Sequence, residues 1–217
     1  MNTVAEPMVL LLAGWSSGIS VYLTAALLGV TGRMQLIQLP GELSVLQNPF
    51  LIALAAVLFA VEFVADKVPY IDSAWDSVHT LIRPIGAAAM GYMAGSEHGP
   101  VLQMGYSMLM GTVALNMHAL KATSRLAINT SPEPFSNIAA STAENSLVFF
   151  MYWFFTKHPV LACLLIVAIL VVSFFIIRLL WRFTKKVFGA LFGLFRSNTP
   201  KKSFAPELNL AVKKENP

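Results

Sequence analysis

The chain has 217 residues, 56% hydrophobic and 12% charged, with a mean hydropathy of +0.66. Soluble domains carry about 25% charged residues, so the composition argues against one and for an all-α, polytopic helical membrane protein with room for about six spans of about 20 residues. The single cysteine, Cys163, lies in an apolar run, which rules out an internal disulfide or a thiol metal framework, and the net charge of +4 is gathered into a basic C-terminal tail.

Residues 1–7 are not basic, so the sequence predicts no removable signal peptide there. The first span is predicted at residues 8–31. Its middle is polar, running Gly14-Trp15-Ser16-Ser17-Gly18 and on to Tyr22 and Thr24. Two glycines four apart favour close helix packing; the serines and aromatic rings are the alternative, a lined cavity. Residues 33–48 form a connection with Pro40, Gly41 and a short segment at 42–46 that either re-enters the membrane or lies at its surface.

The second predicted span, 49–65, is closed by a charged stretch at 62–84. Ionisable groups at the end of an apolar helix cost several kcal/mol unless paired or hydrated. Glu62 and Asp66 are four apart and share a face. Pro69 ends that helix or bends it. Beyond it, Asp72, Asp76, His79 and Arg83 fall at spacings of four, three and four along one stripe. This second helix is amphipathic and too polar to span, so it is predicted to lie on the membrane surface.

Residues 84–95, with Leu81 and Ile82, are a minimal third span, followed by a Gly/Pro turn at 95–100 and a fourth span at 101–120. That span ends in a second stripe, Asn116, His118, Lys121 and Arg125. Residues 129–143, rich in Pro, Ser, Thr and Asn, are predicted as a loop; Glu144 and Asn145 open a short aromatic run at 147–155, broken by Lys157-His158-Pro159. The last span is 160–181. Residues 182–195 read as a surface-lying amphipathic helix, and 197–217 as a disordered basic tail that binds anionic lipid and lies in the cytoplasm.

The order of features repeats: 14–33 echoes 111–130, and Pro49 onward echoes Pro159 onward, with Glu42 and Glu144 in corresponding short segments and Asp72 and Asp76 opposite Arg182 and Lys186. This predicts a membrane domain at 1–196 built of inverted halves, about 8–97 and 99–196, with a site where they meet. Six spans then place both termini on the cytoplasmic side of a bacterial inner membrane, with Lys67, Arg83, Lys121 and Arg125 inside and Arg33 and Lys157 outside.

The run Gly14-Trp15-Ser16-Ser17-Gly18-Ile19, the Leu39-Pro40 pair, and above all Glu62-Phe63-Val64-Ala65-Asp66-Lys67-Val68-Pro69 through Trp75-Asp76, His79-Thr80 and Arg83-Pro84 carry a likeness to a known family. Up to about Arg182, the chain resembles a family of small bacterial and plant membrane proteins catalogued as a domain of unknown function. The resemblance implies a multi-spanning membrane protein and carries over no activity.

The leading functional expectation is a small transporter or permease for a small solute or ion. Its pathway would draw on Trp15, Ser16, Ser17, Tyr22, Glu62, Asp66, Lys67, Asp72, Asp76, His79, Asn116, His118, Lys121, Arg125 and Glu144. An ion channel would use the same residues. The alternative is a non-transporting scaffold or lipid-organising protein that works through its tail. An enzyme is not expected: Asp76 and His79 are one acid–base pair without any nucleophile, metal-site or phosphate-loop motif around them. No metal, cofactor or nucleic-acid partner is expected; membrane lipids are, and a homodimer would cover the short spans.

Overall fold

A computed structural model describes residues 5–68, 70–129 and 134–197. Among them there is no strand. The helices are α1 (Ala5–Ile19), α2 (Val21–Arg33), a 3-10 helix (Gly41–Gln47), α3 (Pro49–Ala65), α4 (Ile71–Ala94), α5 (Pro100–Ile128), α6 (Pro134–Lys157) and α7 (Pro159–Ser197). The chain divides into a unit ending at Thr184 and a second from Lys185, which is helical through Ser197.

Local chemistry sets several helix starts. Asn48 caps α3 by accepting from the Phe50 N–H at 2.9 Å, and Pro49 occupies the first helical position, where a missing donor costs nothing. Pro100 and Pro159 open α5 and α7 in the same way. Ser20 adopts an extended φ of −153°, and its hydroxyl accepts from the Leu23 N–H at 3.2 Å, starting α2 one residue after α1 ends.

Four expectations need correction. The first apolar run is not one helix but two, broken at Ser20. The polar stretch after Pro69 is not a separate surface helix: it is continuous with the Gly/Ala-rich run in the 24 residues of α4, and its stripe of Asp72, Asp76, His79 and Arg83 is buried. Most of the predicted loop at 129–143 is helical, because α6 starts at Pro134. No break separates 182–195 from the last apolar run, since both fall in α7. The tail from residue 198 lies outside the described residues.

α1 is buried on nearly every side from Val9 to Ile19, and it packs on α5 and α4. The two glycines earn their place there. A Cβ on Gly14 would come within 3.2 Å of the Met110 Cα, and one on Gly18 within 2.4 Å of the Ala114 carbonyl oxygen. Close packing on α5 is therefore what Gly14 and Gly18 do.

The outer helices are apolar where they are exposed: Phe50, Val57, Val61 and Val64 on α3, and Val160, Leu164, Val171 and Phe175 on α7. Of the described helices, the segment Pro159–Phe183 is by itself long and apolar enough to cross a membrane, with a mean hydropathy of 3.4. The 3-10 helix and α3 reach that standard together, as a pair bent by 74°.

Candidate functional site

The last turn of α3 and the first half of α4 supply the first part of an ionic cluster. Glu62 and Asp66 sit one turn apart, as their spacing dictates, and both are buried. Arg83, with no exposed surface, bridges two acids: Nη2 donates to Glu62 Oε1 at 2.7 Å and Nη1 to Asp76 Oδ1 at 3.0 Å. The other Glu62 oxygen accepts from the Ser20 hydroxyl, so the break between α1 and α2 is tied to α3.

α5 contributes His118, Lys121 and Arg125, all buried on one stripe. Arg83 Nη1 also donates to His118 Nδ1 at 2.7 Å. A guanidinium only donates, so that nitrogen is an acceptor and the ring carries its proton on Nε2. Nε2 then donates to Thr80 Oγ1 at 3.0 Å, and the Thr80 hydroxyl donates to the Asp76 carbonyl at 2.9 Å. Lys121 Nζ donates to Asp66 Oδ2 at 2.5 Å and to the Ile19 carbonyl at 3.3 Å. That carbonyl is free because the Leu23 N–H, its partner in a continuous helix, bonds to Ser20 Oγ instead. A cation thus meets the negative end of α1 at a helix break.

α6 completes the cluster from residues read as a loop or as its edge. Asn137, Ser141 and Glu144 fall at spacings of four and three, and their side chains meet Arg125 of α5 and Lys67 just beyond α3. Arg125 Nη2 donates to Glu144 Oε2 at 2.7 Å and Nη1 to the Asn137 carbonyl at 3.1 Å; Lys121 Nζ stands 4.0 Å from the same Glu144 oxygen. Lys67, half-buried, donates to the Phe63 carbonyl and to Ser141 Oγ, with its ammonium 3.0 Å from the Phe63 ring centre. Asp72 lies fully buried 3.8 Å from Arg125 Nε, and neither of its oxygens has a hydrogen-bond partner. Beside these groups, Ser73, Asp76, Thr80 and Arg125 help line a cavity of about 180 Å³.

Of the residues singled out in the sequence, Glu62, Asp66, Lys67, Asp72, Asp76, His118, Lys121, Arg125 and Glu144 come together. His79 borders them: its Nδ1 donates to the Trp75 carbonyl at 2.8 Å, and its ring stacks on Trp75 and meets the edge of Tyr22. Trp15, Ser16 and Ser17 are not tied to the cluster by any hydrogen bond. They are buried in the α1 core, where Ser16 bonds to the Leu12 carbonyl and to the Tyr152 hydroxyl. Asn116 faces α7, accepting from the Ser173 hydroxyl at 2.5 Å. Glu42, the proposed counterpart of Glu144, is exposed, and its backbone N–H donates to Ser96 Oγ. Arg182 and Lys186 are exposed where Asp72 and Asp76 are buried.

Sequence reasoning missed the central place of Arg83, which was in the stripe but not in the candidate site, and the parts of Ser20, Asn137 and Ser141. The spacing of 137, 141 and 144 was the available signal. Among the described residues, no group of three His, Cys, Asp or Glu side chains is placed to hold a metal ion.

No curated protein and no solved structure matches the chain. A protein family described as Domain of unknown function (DUF4126) matches residues 8–180, most of its length. The chain that builds this buried ionic cluster belongs to that family.

Proposed function

We propose that the chain is a small polytopic membrane transporter or permease, with its site in the ionic cluster between α3, α4, α5, α6 and the α1–α2 break. Support for the membrane comes from the distribution of polarity. Glu62, Asp66, Asp72, Asp76, Arg83, Lys121 and Arg125 are buried, while α3, α7 and the aromatic face of α6 (Phe149, Phe150 and Trp153) expose large apolar groups. Soluble monomers rarely expose apolar patches beyond a few hundred Å². The buried polar and charged stripes of α4 and α5 lower their mean hydropathy although their outward faces are apolar. A 24-residue helix such as α4 is about 36 Å long, enough to span.

The observation that carries the transport reading is the Lys121–Asp66 pair at the helix break. Broken helices whose free carbonyls meet cations near buried carboxylates are a recurring device of membrane carriers. Orientation rests on the basic tail, since the buried Arg83, Lys121 and Arg125 are not loop charges and drop out of the positive-inside count. With that tail inside, the reading keeps the chain in a plasma (inner) membrane.

Flux of ions and metabolites in liposomes is the test. The parent moves at least one solute, and Asp66→Asn and Lys121→Ala lose that movement. If both variants match the parent for every active solute, this cluster is not the pathway. Single-channel recording separates a channel from a carrier. The competing reading, a scaffold held by static charge pairs, is favoured by the tight pairing of Glu62, Asp66, Asp76 and Glu144. Deleting residues 197–217 separates the two: a transporter keeps its flux, while a tail-driven scaffold loses its partner or location.

A further inference from the structure

We propose that the cluster holds one exchangeable proton, that Asp72 carries it, and that Arg125 is shared between Asp72 and Glu144 according to whether the proton is there. The use of that proton as a coupling ion rests on the transport reading; its residence on Asp72 does not.

Charge accounting comes first. The cluster contains five carboxylates, Glu62, Asp66, Asp72, Asp76 and Glu144, and four cationic side chains, Lys67, Arg83, Lys121 and Arg125. His118 is neutral by the bond it accepts from Arg83. One proton makes the set neutral.

Bonding then says where that proton sits. Glu62, Asp66, Asp76 and Glu144 each accept at least one hydrogen bond from a cation, at 2.5–3.0 Å. Asp72 alone accepts none on either oxygen, with no surface exposed to water. A buried, unbonded carboxylate is the costliest of the five to keep as an anion. Its charged neighbours are Asp66 from the end of α3, Asp76 one turn along α4, and Arg125 and Lys121 from α5. The two acids repel the anion. Arg125 and the N-terminal turn of α4 draw it, so the deprotonated form remains within reach and the proton can exchange.

The step balances simply. The O–H bond of Asp72 breaks, its electron pair stays on the carboxylate, and the proton is accepted by a water entering past Arg125, which lines the neighbouring cavity with Asp76 and stands 3.8 Å from Asp72. Arg125 closes on the new carboxylate and loosens its hold on Glu144. Glu144 is then taken up by Lys121, which already stands 4.0 Å from it.

Infrared difference spectra of the full-length protein in lipid nanodiscs, between acid and alkaline buffer, test this directly. The parent is expected to give a titrating C=O stretch from a protonated carboxyl. Asp72→Asn should abolish it, Asp76→Asn, which takes one acid out of the charge count, should retain it with its midpoint moved to lower pH, and Asp72→Glu should retain it at a shifted frequency. Exchanging sodium for choline should leave it unchanged. No such band in the folded parent, a band untouched by Asp72→Asn, or one unshifted in Asp72→Glu when Asp72→Asn fails to fold, each overturns the proposal. Solute flux by the same samples decides the transport reading separately. A band lost in Asp72→Asn with no flux in the parent keeps the proton site and removes the transporter. Flux with no titrating band does the reverse.

Discussion

Near the turn that joins α4 to α5, a Cβ on Gly91 would stand 2.4 Å from the Tyr106 carbonyl oxygen and one on Gly95 2.5 Å from the Gln103 Cα, whereas farther along the same pair Arg83 reaches His118 at 2.7 Å and Asp72 faces Arg125 at 3.8 Å. One helix pair is therefore closed by two chemistries. The glycine end is held by backbone contact and dispersion, which tolerate no added volume. The ionic end is held by hydrogen-bonded charges that tolerate no missing partner. The first end is rigid in any protonation state. The second can change its pairing when one proton moves, and a site needs that property.

The sharpest way to break the contrast is Arg83→Met. It strands Glu62 and Asp76 as buried acids and is expected to cost about 3–5 kcal/mol, seen as a large drop in unfolding temperature in lipid or detergent. Next comes the Lys121–Asp66 pair. Asp66→Asn and Lys121→Met should each destabilise by about 3 kcal/mol, while the double variant loses clearly less than their sum. Additive losses would mean that the two groups do not act together.

At the glycine end, Gly91→Ala should cost about 1–3 kcal/mol through overpacking against the Tyr106 backbone and should leave flux per folded molecule unchanged. A flux defect there would show that both ends serve the site. Smaller still, Asn116→Ala removes the contact to Ser173 and should cost about 0.6 kcal/mol, since hydrogen bonds between membrane helices are weak on average. Glu42→Gln, on an exposed side chain, should change stability by less than about 0.5 kcal/mol and leave flux intact, although the repeat pattern paired it with Glu144.

The stripes on α4 and α5 were legible because helical spacing is local: Asp72, Asp76, His79 and Arg83 share a face whatever lies opposite. Which way the face points is not local. An amphipathic helix lying on a membrane surface turns its charges to water, which is the expectation for the stretch after Pro69. In a molecule with an apolar exterior the same pattern turns inward, and the surface helix becomes a wall of the site. The same inversion hid α6, where Asn137 and Ser141 read as loop chemistry and Glu144 as the opening of the aromatic run, although the three form the inward stripe. The break at Ser20 had no proline to mark it. It is stabilised from outside, by Glu62 accepting from Ser20 and Lys121 donating to Ile19, and those partners are 42 and 102 residues away in sequence.

The way His118 is bonded decides which of its nitrogens a proton can reach. With Arg83 seated on one nitrogen and the sole ring proton pointing at Thr80, the imidazole cannot pick up a second proton without evicting the guanidinium. The ring therefore sits between the cavity-side Thr80 hydroxyl and the Arg83 bridge with no vacant nitrogen, so a proton reaching Thr80 finds no acceptor on the imidazole.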